Sequence, residues 1–284
     1  MKIFKLLGSL ILLVGIAISA CAKPAANDLE LRLYRLDCGS VHMNDMSVMS
    51  DTGDYRGRTQ DIVVSCYLIK HGDQWMLWDA GLSRDFLKGV SEGGFDMRLT
   101  QTIADQLGAL GLTSGDIGYI AISHAHFDHT GQSNDFPNAT LILQKKEYEE
   151  LSAPDAGKHL IDASLLSAHV KDGPGARLRL VDGDQDLFGD GLIKTIALPG
   201  HTPGQMGLML KLKYAGVVIL SGDQWHFTEN RVNRQVPKFN FDHDATLASG
   251  TKLEGIIKAT HATLIIGHEP DDVKKIPVMP GFLN

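Results

Sequence analysis

The sequence predicts an α/β fold, on three observations. Short apolar and β-branched runs of strand length recur between turn signals. Stretches with helical apolar spacing separate them. The strands fall into two groups, each followed by a helix. With 43% apolar and 21% charged residues among 284, the composition is globular. Pattern alone goes no further than α/β.

The elements follow in chain order. Residues 31–36 alternate and predict a strand. Residues 62–70 are apolar and β-branched, a buried strand; His71-Gly72-Asp73 is a turn, and 74–78 returns as the hairpin partner. Between the first two strands, 39–61 lack clear periodicity, and a loop that long in a compact domain is usually functional or disordered. It carries Met43, Met46 and Met49 at three-residue spacing. Two readings stay open: a short helical turn with one buried face, or an adaptable apolar lid over a substrate chain. Residues 99–112 have helical spacing and end near Gly111. Residues 117–122 form a buried strand, 139–144 another, and a short helix starts near Lys145. Residues 151–177 are irregular, with Pro154, Gly157 and Pro174, and read as an insertion beside the site. Strands follow at 178–181, 192–198, 205–212 and 217–220, a helix at 245–259, and a last strand at 263–266.

The stretch richest in chemistry is Ser123-His124-Ala125-His126-Phe127-Asp128-His129-Thr130-Gly131. It begins where the 117–122 strand ends, a usual place for site residues. In an extended segment His124 and His126 project to one side and can grip one ion together. Asp128 and His129 come after the chain turns and can serve a second ion. Neutral imidazole and carboxylate are ligands that zinc accepts. The bland alternative is a histidine-rich surface loop. Further candidate ligands at later strand ends weigh against it: His201 in Pro199-Gly200-His201-Thr202-Pro203-Gly204, Asp223 in Ser221-Gly222-Asp223, and His268 in Gly267-His268-Glu269-Pro270.

His124-x-His126-x-Asp128-His129 resembles the signature of the metallo-β-lactamase superfamily. Asp79 in Trp78-Asp79-Ala80-Gly81 and the three later motifs stand in that superfamily's order. Within it, residues 31–79 are most similar to N-acyl homoserine lactonases. The resemblance implies an αβ/βα sandwich: two mixed β-sheets with helices on the outer faces. It implies two divalent metal ions, by default Zn2+, with His124, His126 and His201 at one site and Asp128, His129 and His268 at the other. Asp223 resembles the carboxylate that bridges both metals, and Asp79 the aspartate that orients ligand histidines from behind. The implied reaction is opening of the acyl homoserine lactone ring by a metal-bridging hydroxide, with Asp128 also carrying a proton to the leaving group. Such lactonases place an acyl-chain-contacting loop where Met43, Met46 and Met49 lie, and are often homodimers. One departure stands out. Where some lactonases carry a tyrosine that touches the substrate carbonyl, this chain has His226, which can donate a hydrogen bond in its place. The competing readings are a periplasmic metallo-β-lactamase, a bifunctional lactonase/β-lactamase, a thioester hydrolase of the glyoxalase II kind, and a lipid-anchored zinc store or sensor.

The N-terminus predicts export. Lys2 and Lys5 form a positive region, and residues 6–18 an apolar core too short to span a bilayer. Ile18-Ser19-Ala20-Cys21 resembles a bacterial lipobox with Cys21 as the lipidated residue; Ala20-Cys21-Ala22 also fits an ordinary cleavage site. The expected organisation is a signal peptide over 1–20, a lipid-anchored tether over 21–29, and one metallo-hydrolase domain over 30–284. The expected location is the periplasm, anchored to the outer membrane. A net charge of −7 with no basic block argues against nucleic-acid binding. Cys66, in an apolar run, reads as a buried free thiol rather than a partner of Cys38. His42, His71, His159, His169, His243 and His261 read as surface or helix residues.

Overall fold

The computed structural model describes residues 29–154, 156–170 and 177–284. The expected signal peptide, Cys21 and nearly all of the tether lie outside the described residues. The strands are β1 (Leu31–Met43), β2 (Gln60–His71), β3 (Gln74–Trp78), β4 (Val90–Glu92), β5 (Phe95–Arg98), β6 (Ile117–Ala121), β7 (Thr140–Gln144), β8 (Leu178–Val181), β9 (Ile193–Ala197), β10 (Met206–Leu212), β11 (Gly216–Leu220) and β12 (Thr263–Ile265). The α-helices are α1 (Ile103–Leu107), α2 (Phe127–Thr130), α3 (Lys145–Leu151), α4 (Thr228–Asn233), α5 (His243–Thr260) and α6 (Pro270–Val273). One sheet runs β4-β5-β1-β2-β3-β6-β7-β8, the other β12-β11-β10-β9. Both are mixed: β3, β6, β7 and β8 pair in parallel, as do β11 and β12, while the remaining neighbours are antiparallel. Among the described residues no helix is long and apolar enough to cross a membrane.

Three apolar layers hold the sandwich together. Leu33, Tyr67, Ile69 and Trp78 from the large sheet meet Leu208, Leu210 and Leu220 from the small one. The other face of the large sheet packs Leu68, Leu77 and Ile120 against Ile103 and Leu107 of α1. The outer face of the small sheet packs Ile196, Ile219 and Leu264 against Leu253 of α5. The period-2 side chains of each strand thus serve two layers at once. Helix α5 starts at Asp242, whose side chain accepts from Ala245 N, and buries Thr246, Ser249, Gly250 and Leu253 as one stripe. It ends at His261 in the left-handed conformation.

Three expectations are corrected. The 39–61 stretch is not all loop: β1 continues through a bulge at 37–40 to Met43, and a 3-10 turn spans Met46–Met49. The helix expected over 99–112 is short. Thr102 caps α1, and the chain tightens into a 3-10 turn that stops at the left-handed Gly111. Cys66 is not a free thiol. It is bonded to Cys38, with Cα atoms 5.9 Å apart and both residues fully buried. The pairing was hidden because the sequence ended the first strand at 36, short of Cys38.

Two of the six unassigned histidines are also corrected. His71 is buried, with Nε2 2.7 Å from Asp190 Oδ2 and its ring stacked on Phe188. His169 is buried too, its ring nitrogens facing the carbonyls of Ala139 and Ser133. Their partners stand 119, 30 and 36 residues away, beyond the reach of local pattern. His42 and His159 are half-buried beside carboxylates, while His243 and His261 are exposed.

The disulfide closes a loop with a sequence separation of 28. Loop entropy alone makes that worth on the order of 3 kcal/mol. A Cys38→Ser/Cys66→Ser double variant should lose about that much in guanidinium unfolding. Equal stability of the variant and the parent would mean that the bond contributes nothing.

Candidate metal centre and substrate cavity

Strand ends deliver the candidate residues to one place. After β6, Ser123 O accepts from Met206 N at 2.9 Å, which joins the two sheets next to His124. His126 is extended (φ −63°, ψ 152°), and α2 then turns Asp128 and His129 back toward it. The β3 end presents Asp79 in the left-handed region at φ +59°. A non-glycine residue there is strained by roughly 1–3 kcal/mol unless its surroundings hold it. Here they do: Asp79 accepts from Ser123 N at 2.7 Å and Ser123 Oγ at 2.9 Å, and lies 3.0 Å from His129 Nδ1. The β11 end presents Asp223, and the β12 end His268, whose Nδ1 lies 2.8 Å from Val63 O.

All seven candidate ligands converge. His124, His126, His201 and Asp223 form one group whose candidate ligand atoms lie within 4.8 Å of one another. Asp128, His129 and His268 form a second on the same criterion. Asp223 joins them: Oδ1 lies 3.3 Å from His129 Nε2, and Oδ2 lies 3.2 Å from His268 Nε2 and 3.5 Å from His201 Nε2. Asp223, His226 and His268 form a third, overlapping group. His226 Nε2 is 3.1 Å from Asp223 Oδ2, and its ring stacks on His268 at 15°.

This cluster fits cations. His124 Nε2, His129 Nε2 and Asp223 Oδ1 are buried without a hydrogen-bond partner, which is costly for polar atoms left to themselves. His126 Nδ1 and His201 Nε2 face each other at 3.1 Å. Two nitrogens bound tetrahedrally to one zinc stand ~3.3 Å apart. Among the protein's own groups, burial and the neighbouring histidines hold His124 and His201 well below the usual imidazole range, although Asp223 opposes this. Burial brings His126 down to about 3 against the pull of Asp223. These three are therefore neutral at neutral pH, the form that binds metal. Burial also disfavours charge on His129 and His268, but Asp223 and Asp128 outweigh it. His129 stands well above its usual range and His268 at about 9. A cation entering there displaces their protons.

A cavity of about 740 Å³ opens onto this cluster. Asp128, Asp223, His226 and His268 line its floor. Its walls are largely apolar, with Val41 and Met43 of β1, Met49, Phe86, Met97 of β5 and Phe239, and also carry Asp85 and Glu92. Leu160, Asp162 and Leu165 from the irregular segment complete it. Of the three methionines, Met43 and Met49 reach the cavity, while Met46 is packed into the core. The sequence did not single out Ser123, the Val63 carbonyl, Phe239 or the β4–β5 hairpin. It also passed over Glu147, a fully buried carboxylate that accepts from Ala125 N, Thr202 Oγ1 and Gly204 N. Burial raises its pKa against those three donors. Nothing local distinguishes it from an ordinary glutamate in a first helical turn.

An αβ/βα sandwich that aims two adjacent histidine–carboxylate clusters into one cavity is the scaffold of a metal-dependent hydrolase. The chain belongs to the metallo-beta-lactamase superfamily, whose sequence model matches residues 60–268. It is 30% identical over 269 residues to the N-acyl homoserine lactonase AttM of Azorhizobium caulinodans, covering 90% of this chain and 99% of that protein. Against the lactonase AttM of Rhizobium radiobacter the identity is 31%, with coverage of 87% and 98%. A solved structure of an N-acyl homoserine lactone hydrolase, with the product N-hexanoyl-L-homoserine at its catalytic metal centre, superposes with a TM-score of 0.74. The two are 25% identical, and the match covers 88% of this chain and 98% of that one. The dizinc quorum-quenching lactonase AidC shares the fold, with a TM-score of 0.65, 21% identity, and coverage of 89% and 90%.

Gly131 is where the cluster's segment meets the Asp79 loop. Its amide donates to Gly81 O at 2.8 Å, and a Cβ there would lie 2.2 Å from Ser83 N and 2.4 Å from Gly81 O. Both atoms are backbone, so relief requires the two loops to part. Gly131→Ala should cost at least about 1–3 kcal/mol, the usual penalty of overpacking. A chemical denaturation midpoint matching the parent's would refute this close approach.

Proposed function

We propose that the protein hydrolyses N-acyl homoserine lactones and so quenches quorum signals, as an exported periplasmic chain anchored by lipid to the outer membrane. The observation that carries this reading is the cavity: largely apolar walls above a floor of histidines and carboxylates, with no lysine or arginine among the described residues that line it. A neutral lactone head with a hydrocarbon tail suits such a site. A β-lactam antibiotic carries a carboxylate, and that anion would meet Asp85, Glu92, Asp128 and Asp162, with no cationic side chain among the described lining residues to receive it. The lactonase relatives support the same reading.

His124, His126 and His201 would hold one divalent cation, and Asp128, His129 and His268 the other, with Asp223 shared between them. When bound, two adjacent cations polarise a carbonyl and acidify water; zinc is the ion that the donor set favours. The chain's own residues do the rest. Asp79 keeps the His129 ring oriented and its far nitrogen free to bind. Asp128, at the cavity floor, takes the proton of the attacking water and delivers it to the ring oxygen as the acyl carbon–oxygen bond breaks. His226 donates a hydrogen bond to the carbonyl oxygen as negative charge develops there. Met43 and Met49 adapt to the acyl chain. The product is an N-acyl homoserine, whose new carboxylate the acidic lining repels. Cys21 would be the lipidated residue, at the head of a tether over 21–29.

The deciding assay follows ring opening of a long-chain acyl homoserine lactone and of a carbapenem side by side, using zinc-loaded protein. Lactone turnover should dominate, and Asp223→Ser should lower it at least about a hundredfold, the upper range for losing even a partner behind a ligand. Carbapenem turnover that dominates and survives Asp223→Ser would sink the lactonase reading. Prolonged dialysis against a chelator should abolish lactone turnover, and added zinc should restore it. Undiminished activity after dialysis would count against a metal reaction. His226→Phe should lower kcat by about 10²–10³ with KM nearly unchanged, as for removal of one oxyanion donor. An unchanged kcat would remove His226 from the reaction.

A further inference from the structure

Glu147 lies in the first turn of α3, directly after β7, and has no exposed surface. Its Oε1 accepts from Ala125 N at 2.7 Å. Its Oε2 accepts from Thr202 Oγ1 at 2.7 Å and Gly204 N at 2.8 Å. Ala125 sits between His124 and His126, and Thr202 follows His201. One carboxylate therefore ties together the two loops that carry the three histidines, although His126 and His201 are 75 residues apart in sequence. Steric fit points the same way. A Cβ on Gly204 would lie 2.3 Å from Glu147 N and 2.6 Å from Glu147 Cβ, so the His201 loop lies flush against the start of α3 only with glycine there.

Asp79 holds Ser123 and His129. Neither of its hydrogen-bonded partners lies in the His201 loop. Asp79 reaches the three-histidine site through Ser123 Oγ, which lies 3.1 Å from His124 Nδ1, whereas Glu147 joins the loops of His126 and His201 to each other.

We propose that Glu147 is the positioning residue of the three-histidine site: it sets the spacing of His126 and His201 and thereby the zinc affinity of that site, without touching cation or substrate. This rests on the metal centre proposed above. Glutamine is the informative replacement. Its amide nitrogen cannot accept, so either Ala125 N or the Thr202–Gly204 pair loses its partner.

The test compares the parent, Glu147→Gln and Thr202→Val. Each is titrated with zinc against a competing chelator, and the cobalt(II)-substituted forms are compared by visible absorption. In Glu147→Gln, one of two zinc sites should weaken about ten- to a hundredfold and the other hold, with an altered cobalt band. Thr202→Val removes a single donor and should weaken the same site by a few fold. Competition curves and cobalt bands that superpose on the parent's would overturn the proposal. So would equal weakening of both sites together with a lowered melting temperature, the mark of a merely structural glutamate. If Glu147→Gln does not fold, Thr202→Val decides: weakening at one site supports the proposal, and unchanged affinity overturns it. A parent that takes up no zinc overturns the metal centre and this proposal together. A parent that binds two zinc ions but opens no lactone overturns only the substrate reading, and the binding data still judge Glu147.

Discussion

Everything in this molecule is arranged around the buried carboxylate of Asp223. It is 3% exposed, and within 4 Å of its oxygens lie ring nitrogens from five histidines. His268, His129, His226 and His124 together hold its pKa well below the usual carboxylate range, against the strong opposing effect of burial. An isolated anion at that depth would cost several kcal/mol. The cluster is tolerable only because both halves of the chain bring their polar ends to the same point. The sandwich makes this possible. Strands β6 and β11 lie in different sheets, yet their ends face each other across the join made by Ser123 and Met206.

The ligand loops are short and are themselves held. Asp79 accepts strain at φ +59° in exchange for three contacts to the Ser123–His129 segment. Val63 O fixes the far nitrogen of His268, and Ser65 Oγ donates to Gly267 O one residue earlier. Both anchors sit on β2, the strand that carries Cys66. The disulfide to Cys38 therefore braces the strand on which the last ligand loop rests.

Much of this was legible in the sequence. The β3, β7 and β8 spans match their apolar runs closely because each run has strand length and ends at a turn signal. The seven candidate ligands were legible because histidine and aspartate at successive strand ends are rare without a common purpose. What stayed hidden depends on distant partners. Cys66 looked like a core thiol because its partner lies beyond the apparent end of β1. Met46 looked equivalent to Met43 and Met49, yet it is packed into the core and is not among the residues that line the cavity. Strands β4 and β5, three and four residues long, carry no detectable period. Glu147 shows only in three dimensions, where both of its client loops meet.

The β4–β5 hairpin has a separate consequence. It hangs on the outer edge of the large sheet through β1, contributes Val90, Phe95 and Met97 to the cavity wall, and supplies none of the clustered histidines or carboxylates. The cavity wall that this ribbon supplies and the clustered histidines and carboxylates thus lie on parts of the chain that can diverge independently. An exchange of this one edge ribbon could reshape what enters the site while the reacting groups stay as they are, so a lineage can adopt new substrates without rebuilding its catalyst.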